Sequence, residues 1–178
     1  MFYVSEIFTE KPTEFKTPLQ KKVYEALALQ NISFERVDTD EAITMEDCVA
    51  INEKLSMKMV KTLFLSNRQQ TEFYLFVTCG DKPFKSKDFS AALGISRVSF
   101  APAELMEEML GTKIGAATFF SALSDTEGKV KFVIDKAVLD EKYYGCSDGT
   151  TTGYMKLLCE DVLKFLKNTA HEPIIAEV

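Results

Sequence analysis

The sequence predicts an α+β fold, a mostly antiparallel or mixed sheet with helices packed around it, on three observations. Strand-like and helix-like segments mix without a regular strand–helix–strand rhythm, which disfavours a doubly wound parallel sheet. Residues 59–66 alternate in period two and, after the polar run 67–71, residues 73–78 are apolar, the pattern of a hairpin at a sheet centre. Amphipathic helical patterns stand near both ends, with Leu19, Val23, Ala26 and Leu27 on one face and Leu158, Val162, Phe165 and Leu166 on another.

Residues 1–17 form a polar extension. Thr17-Pro18-Leu19-Gln20 has the form of a capping box with proline at the first helical position, opening a helix to about Gln30. Asn31 suits a left-handed stop, and the β-branched and aromatic residues of 32–37 suit a short strand. Thr44-Met45-Glu46-Asp47 reads as a second cap, leading a helix through Ile51 towards Leu55. In 59–66, Lys61, Leu63 and Leu65 fall on one side and Val60, Thr62 and Phe64 on the other, so a charged residue heads an apolar face. Gly80-Asp81 closes the hairpin, Ser86 caps a short helix ending at Gly94, and 97–100 is a brief strand. A helix over 102–110 stops at Gly111. Periodicity then fails until Phe120, as in a loop whose backbone approaches something closely. A turn at 125–129 precedes a strand at 130–135, and a small, polar run at 145–153 precedes a strand at 154–157.

The length of 178 residues fits one domain, here 18–178 after the extension. At 46% hydrophobic and 27% charged residues, the composition is that of a globular protein and excludes a disordered chain. There is no basic start followed by an apolar core, and no run of about 18 apolar residues, so a soluble, cytoplasmic protein without membrane attachment is expected. Four cysteines, Cys48, Cys79, Cys146 and Cys159, lack C-x-x-C spacing and read as reduced, buried thiols. His171 is the sole histidine, which removes a Ser-His-Asp triad or a histidine metal cluster; no metal and no cofactor are expected. With 21 basic and 27 acidic side chains the net charge is −6, so contact with a polyanion must be local. Lys54, Lys58, Lys61, Lys82, Lys85 and Lys87 fall between two acidic clusters and make a basic patch if they share a face, or plain solvated surface if they do not.

Three features carry chemical potential. Lys61 heads an apolar strand, where its charge acts in low dielectric at a cavity mouth or else snorkels at a strand end. Gly115-Ala116-Ala117-Thr118 offers main-chain N–H groups to a developing oxyanion, or is an ordinary connection. The hydroxyls of residues 147–152 position a water or a ribose, or make turns. There is no Walker sequence and no G-x-G-x-x-G.

Read in order, Lys61-Thr62-Leu63-Phe64-Leu65, Cys79-Gly80-Asp81-Lys82, Leu93-Gly94 with 97–101, Leu110-Gly111 with Gly115-Ala116, Val133-Ile134-Asp135 with Leu139, and His171-Glu172-Pro173 resemble the YbaK/ProX family. These are free-standing aminoacyl-tRNA deacylases related to the editing domain of bacterial prolyl-tRNA synthetase. The resemblance spans residues 19–178 and implies a barrel-like sheet with helices around it. It implies that Lys61 is the residue most tied to activity, gripping the acceptor end or the aminoacyl carbonyl. It implies a substrate pocket from Gly115, Ala116, Thr118 and Phe120 and from Cys146, Ser147, Asp148, Thr150 and Thr151, and tRNA contacts from Lys54, Lys58, Lys82 and Lys85. The implied activity is trans-editing of a mischarged aminoacyl-tRNA, Ala-tRNA(Pro) first among the substrates, with prolyl-tRNA synthetase as a further partner.

Two departures stand out. Family members that resemble ProX read T-P-F-G where this chain has Thr118-Phe119-Phe120-Ser121, and H-P-x-x-N-T where it has Cys146-Ser147-Asp148-Gly149-Thr150-Thr151. They keep open a catalytically weakened tRNA-binding, aminoacyl-binding or regulatory module on the same fold.

Overall fold

A computed structural model describes residues 1–42 and 44–178. Helix α1 (Pro18–Leu29) starts as its sequence demands: the Thr17 side chain accepts from the Gln20 N–H, and Pro18 occupies the first turn. The other arm of the capping box reaches one residue further back, Gln20 Oε1 accepting from the Lys16 N–H at 2.7 Å. Asn31 ends the helix with φ 54°, as predicted. The next strand, β1 (Glu35–Asp38), begins three residues later than the pattern suggested, because Ile32 N–H is still held by the Leu27 carbonyl.

Thr44 and Asp47 do exchange the reciprocal hydrogen bonds of a capping box, but these close a turn, and helix α2 (Val49–Leu55) starts only after it. Strands β2 (Val60–Asn67) and β3 (Phe73–Cys79) form the expected antiparallel hairpin. Helix α3 (Ser86–Leu93) ends at left-handed Gly94, while Ser86 does not cap it: Lys85 holds that position, and the Ser86 hydroxyl donates to the Val98 carbonyl. Strand β4 (Val98–Phe100) and helix α4 (Ala103–Leu110), stopped by Gly111, follow the sequence closely. A 3-10 turn at Phe119–Leu123, strand β5 (Val130–Asp135) and the one-turn helix α5 (Lys136–Leu139) lead to β6 (Tyr143–Ser147), β7 (Gly153–Leu158), α6 (Cys159–Asn168) and β8 (Ile174–Ala176).

The class is α+β, as the sequence indicates, but the strands divide into two sheets and close no barrel. One has the order β1-β7-β6 and is antiparallel. The other, β4-β2-β3-β5-β8, is mixed, with β3, β5 and β8 parallel and the β2–β3 hairpin inside it. Between the sheets, α1 and α6 deliver Leu19, Val23, Leu27, Val162 and Phe165 to a core that also holds Phe64, Phe119, Phe120, Phe132 and Tyr144. A second cluster packs α2 against Val37 and Tyr154, and a third packs Phe89 of α3 against Leu65, Tyr74, Phe76 and Val133 on the outer face of the larger sheet.

Residues 1–17 lie against this body. Ser5 and Phe8 N–H groups donate to the Asp38 and Arg36 carbonyls, Arg36 N–H returns to Phe8, and Asp40 N–H reaches Tyr3. Arg36, buried, clamps the arrangement by donating through Nε to the Glu10 carbonyl at 2.6 Å, pairing with Asp38 and lying over the Phe8 ring. His171 is structural too: it shares a hydrogen bond of 2.9 Å with Asp125, whose carboxyl group accepts from the Lys129 and Val130 N–H groups and so fixes the turn before β5.

Candidate active site

Among the described residues, the two sheets are joined in main-chain pairing by one isolated bridge, Met59 to Gly145. Gly145 must be glycine there, since a Cβ would stand 2.6 Å from Met57 Sδ and 3.1 Å from the Lys58 carbonyl oxygen. Beyond the bridge β2 and β6 diverge. Strand β4 runs along β2 only from Leu65 to Asn67, so among the described residues the β2 edge at residues 60–63 has no strand against it. A cavity of about 380 Å³ opens at that edge. Its walls are β2, Cys146 and Ser147 of β6, the loop carrying Ile114, Gly115 and Ala117, Met45 and Cys48 before and at α2, and Phe100 to Met106 at the β4–α4 junction.

Lys61, Gly115, Cys146 and Ser147, all singled out in the sequence, therefore border one cavity. The predicted alternation of β2 is present, with Leu63 and Leu65 packed under α3 and Val60 and Phe64 against the main core. Lys61 is half-buried on the α3 side of the strand, and its Nζ donates to the Lys82 carbonyl at 2.8 Å. By the same alternation Thr62 is the polar side chain on the core side. The sequence reading missed it, although a threonine between Val60 and Phe64 was the available signal.

The two small-residue loops meet through Thr118, fully buried, whose hydroxyl donates to the Ser147 carbonyl at 2.9 Å. Gly115 has φ 90°, a conformation that glycine adopts without strain. The Ala116 N–H is taken by the Lys113 carbonyl, whereas among the described residues those of Gly115 and Ala117 have no acceptor. They are the main-chain donors available to a bound group.

The remaining predicted pocket residues lie elsewhere. Phe120 is in the core against Phe119 and Phe165. Asp148, 1% exposed, accepts from Gln20 Nε2 and Tyr24 Oη, each at 2.9 Å, and from the Thr150 hydroxyl at 2.7 Å. It ties the polar loop to α1. Burial, reinforced by Asp148, raises the Tyr24 phenol far above its usual range and keeps it a donor. Ala116, Thr150 and Thr151 line a separate depression with Lys16, Glu107 and Lys113. The Ser147 hydroxyl is committed to its own turn, donating to the Thr150 carbonyl at 2.6 Å and accepting from Gly149.

The cavity thiols are poor nucleophiles. Burial, then Asp47, pushes Cys48 up to about 11, and complete burial pushes Cys146 well above the ordinary thiol range. All four cysteines are free, and only Cys79 is not fully buried. Among the described residues no group of three or more His, Cys, Asp or Glu side chains is placed to hold a metal ion.

Next to Lys61, the carboxyl group of Asp135 accepts from Thr78 Oγ1 at 2.7 Å, Lys82 Nζ at 2.8 Å and the Ala137 N–H. Burial alone would raise its pKa, but the hydrogen bonds from Lys82, Thr78 and Ala137 hold it below the usual carboxylate value. A carboxyl group with a lowered pKa in the folded state adds stability above its unfolded pKa, and loses it as pH falls through the folded one. Asp135→Asn should therefore cost about 1–3 kcal/mol in urea melts at pH 7. The difference from the parent chain should shrink steadily below pH 4; a gap constant from pH 7 to pH 3 would contradict this account.

Of the predicted tRNA-contacting lysines, Lys82 and Lys85 line one depression together, Lys58 borders another and pairs with Glu141, and Lys54 is exposed on α2.

Among the described residues no helix is long and apolar enough to cross a membrane. The model of the aminoacyl-tRNA editing domain matches residues 39–165, which include most of the cavity wall. The chain is 33% identical over 162 residues to prolyl-tRNA synthetase associated domain-containing protein 1 of Bos taurus, covering 88% of this chain and 94% of that one. It is 25% identical to the prolyl-tRNA editing protein ProX of Acetoanaerobium sticklandii, covering 76% and 83%. A solved structure described as a candidate trans-editing enzyme for prolyl tRNA synthetase superposes with a TM-score of 0.68 at 15% identity, over 92% of this chain and 99% of that one, and shows the fold in common. By this match of sequence and architecture, the chain belongs to the aminoacyl-tRNA editing domain family, the YbaK/ProX family.

Proposed function

We propose that the chain is a metal-independent aminoacyl-tRNA deacylase that acts in trans on tRNA carrying a wrongly attached small amino acid, Ala-tRNA(Pro) being the leading substrate. The observation that carries this reading is the cavity at the open β2 edge, which Lys61, Gly115 and Ala117 line together, the N–H groups of the two loop residues having no acceptor among the described residues. An aminoacyl ester is already activated. Its hydrolysis needs a placed water and compensation of the charge that develops on the carbonyl oxygen, both of which fixed donors and an ammonium group supply without a histidine base. Lys61 takes the catalytic role, binding the carbonyl or the terminal ribose-phosphate once its ammonium leaves the Lys82 carbonyl.

Met45, Met59 and Met106 on the walls form an adaptable apolar lining for a short side chain. Discrimination against one extra methylene is worth about 1–3 kcal/mol in such a pocket. Lys54, Lys58, Lys82 and Lys85 serve the tRNA, prolyl-tRNA synthetase is the further partner, and the place of action is the cytoplasm.

The test is a deacylation panel of mischarged tRNAs. Alanine should leave tRNA(Pro) faster than proline does, and a panel in which no ester is cleaved above the spontaneous rate would overturn the assignment. A second reading, a binding module on the same fold, is favoured by the engagement of Lys61 Nζ with Lys82 and of the Ser147 hydroxyl with its own turn. Tight binding of mischarged tRNA without turnover would select it.

A further inference from the structure

Phe100 stands at the mouth of the cavity on the outermost strand of the larger sheet, and 63% of it is exposed. Ile114, 64% exposed, is also at the mouth. Behind Phe100 lies Phe84, the ring centroids 5.6 Å apart, and Phe84 in turn lines the depression shared by Lys82 and Lys85. The two rings thus bridge the cavity and a hollow of mixed charge, in which Lys82 is paired with Asp135 and Asp88 and the C-terminal Val178 also take part.

The segment that carries the rings is locally basic. Residues 82–101 carry four basic side chains, Lys82, Lys85, Lys87 and Arg97, against the one acid Asp88, within a chain of net charge −6. Lys85, Lys87 and Arg97 are exposed and, among the described residues, form no ion pair. An exposed aromatic ring flanked by unpaired cations is how proteins hold single-stranded nucleic acid: a base stacks on the ring and neighbouring phosphates meet the charges.

We propose that Phe100, backed by Phe84, is a stacking platform for the terminal nucleobase of a single-stranded RNA 3′ end, with Lys85 and Arg97 meeting the phosphates on the 5′ side of that nucleotide. This deepens the deacylase reading and rests on it for the placement of the ester. When the aminoacyl group enters the cavity, the base on the same ribose lies just outside, where Phe100 stands. The platform reads no base identity, and it fixes the ester relative to Lys61.

The test uses an uncharged RNA oligonucleotide ending in CCA, so hydrolysis plays no part, titrated by fluorescence anisotropy with the full chain. Phe100→Ala should weaken binding about tenfold or more, and Phe100→Tyr should preserve it. An oligonucleotide whose last nucleotide lacks its base should bind the parent chain as weakly as the intact one binds Phe100→Ala, with no further loss when the two changes are combined. Equal affinity of the parent and Phe100→Ala chains, no binding by the parent chain, or a loss of dimer in Phe100→Ala with unchanged RNA affinity each overturn the platform, the last in favour of a self-association surface. A chain that binds this RNA through Phe100 but cleaves no mischarged tRNA keeps the platform and removes the deacylase; one that cleaves with RNA affinity independent of Phe100 does the reverse.

Discussion

Lys61→Ala should lower kcat for deacylation of a mischarged tRNA by at least about 100-fold, the loss seen when one donor to a developing oxyanion is removed from a closed site. Lys61 is half-buried at the open β2 edge, on a cavity that Gly115 and Ala117 also line. Once its ammonium leaves the Lys82 carbonyl for the cavity, its charge acts against walls that are mostly apolar and counts for more than a surface lysine's would. Folding should hardly change, because the Lys82 carbonyl that loses its partner sits in a half-exposed turn where water replaces the ammonium, a difference within about 1 kcal/mol. Lys61→Arg should restore part of the rate if charge suffices. Single-turnover rates, with melting curves as control, decide it, and parental rates in Lys61→Ala would remove the residue from the mechanism.

Asp148→Ala should produce the largest loss of stability, about 3 kcal/mol, or roughly 6–12 °C in Tm for a chain of this size. The carboxyl group is buried and accepts from α1 through Gln20 and Tyr24 and from its own loop through the Thr150 hydroxyl and N–H. Without it, the buried Gln20 amide and Tyr24 hydroxyl lose their acceptor, and each unmatched donor costs about 1–3 kcal/mol. Gly153 enforces the packing, since a Cβ there would lie 2.3 Å from Asp148 Oδ2. Calorimetry checks this; a Tm within about 2 °C of the parent value would mean that the hub carries little.

Elements with strong local chemistry were legible in the amino-acid order: Thr17-Pro18 opens α1, Gly94 and Gly111 end α3 and α4, and the period of residues 59–66 is that of β2. What escaped was held by tertiary context. Strand β6 holds Gly145, a poor strand former, within a small-residue run that reads as a loop, and exists because β7 pairs with it and Met57 leaves no room for a side chain at 145. The three-residue β8 owes its existence to β5. At the site, the serine-threonine-glycine run read as a pocket wall, but only Cys146 and Ser147 border the cavity; Asp148 turned inward because a short polar chain on a tight loop met two donors from a helix more than a hundred residues away. Thr62 and Phe100 were passed over because which side of a strand faces a cavity is set by the second sheet, not by the strand.

The extension laid along β1 has a consequence for solubility. By lending its own amides to Arg36 and Asp38, it occupies the side of β1 away from β7, hydrogen-bonding capacity that would otherwise stand ready to template a stray chain. A protein trimmed of its first ten residues would bare a row of unmet amides and carbonyls, and would be prone to stack copy upon copy as concentration rises.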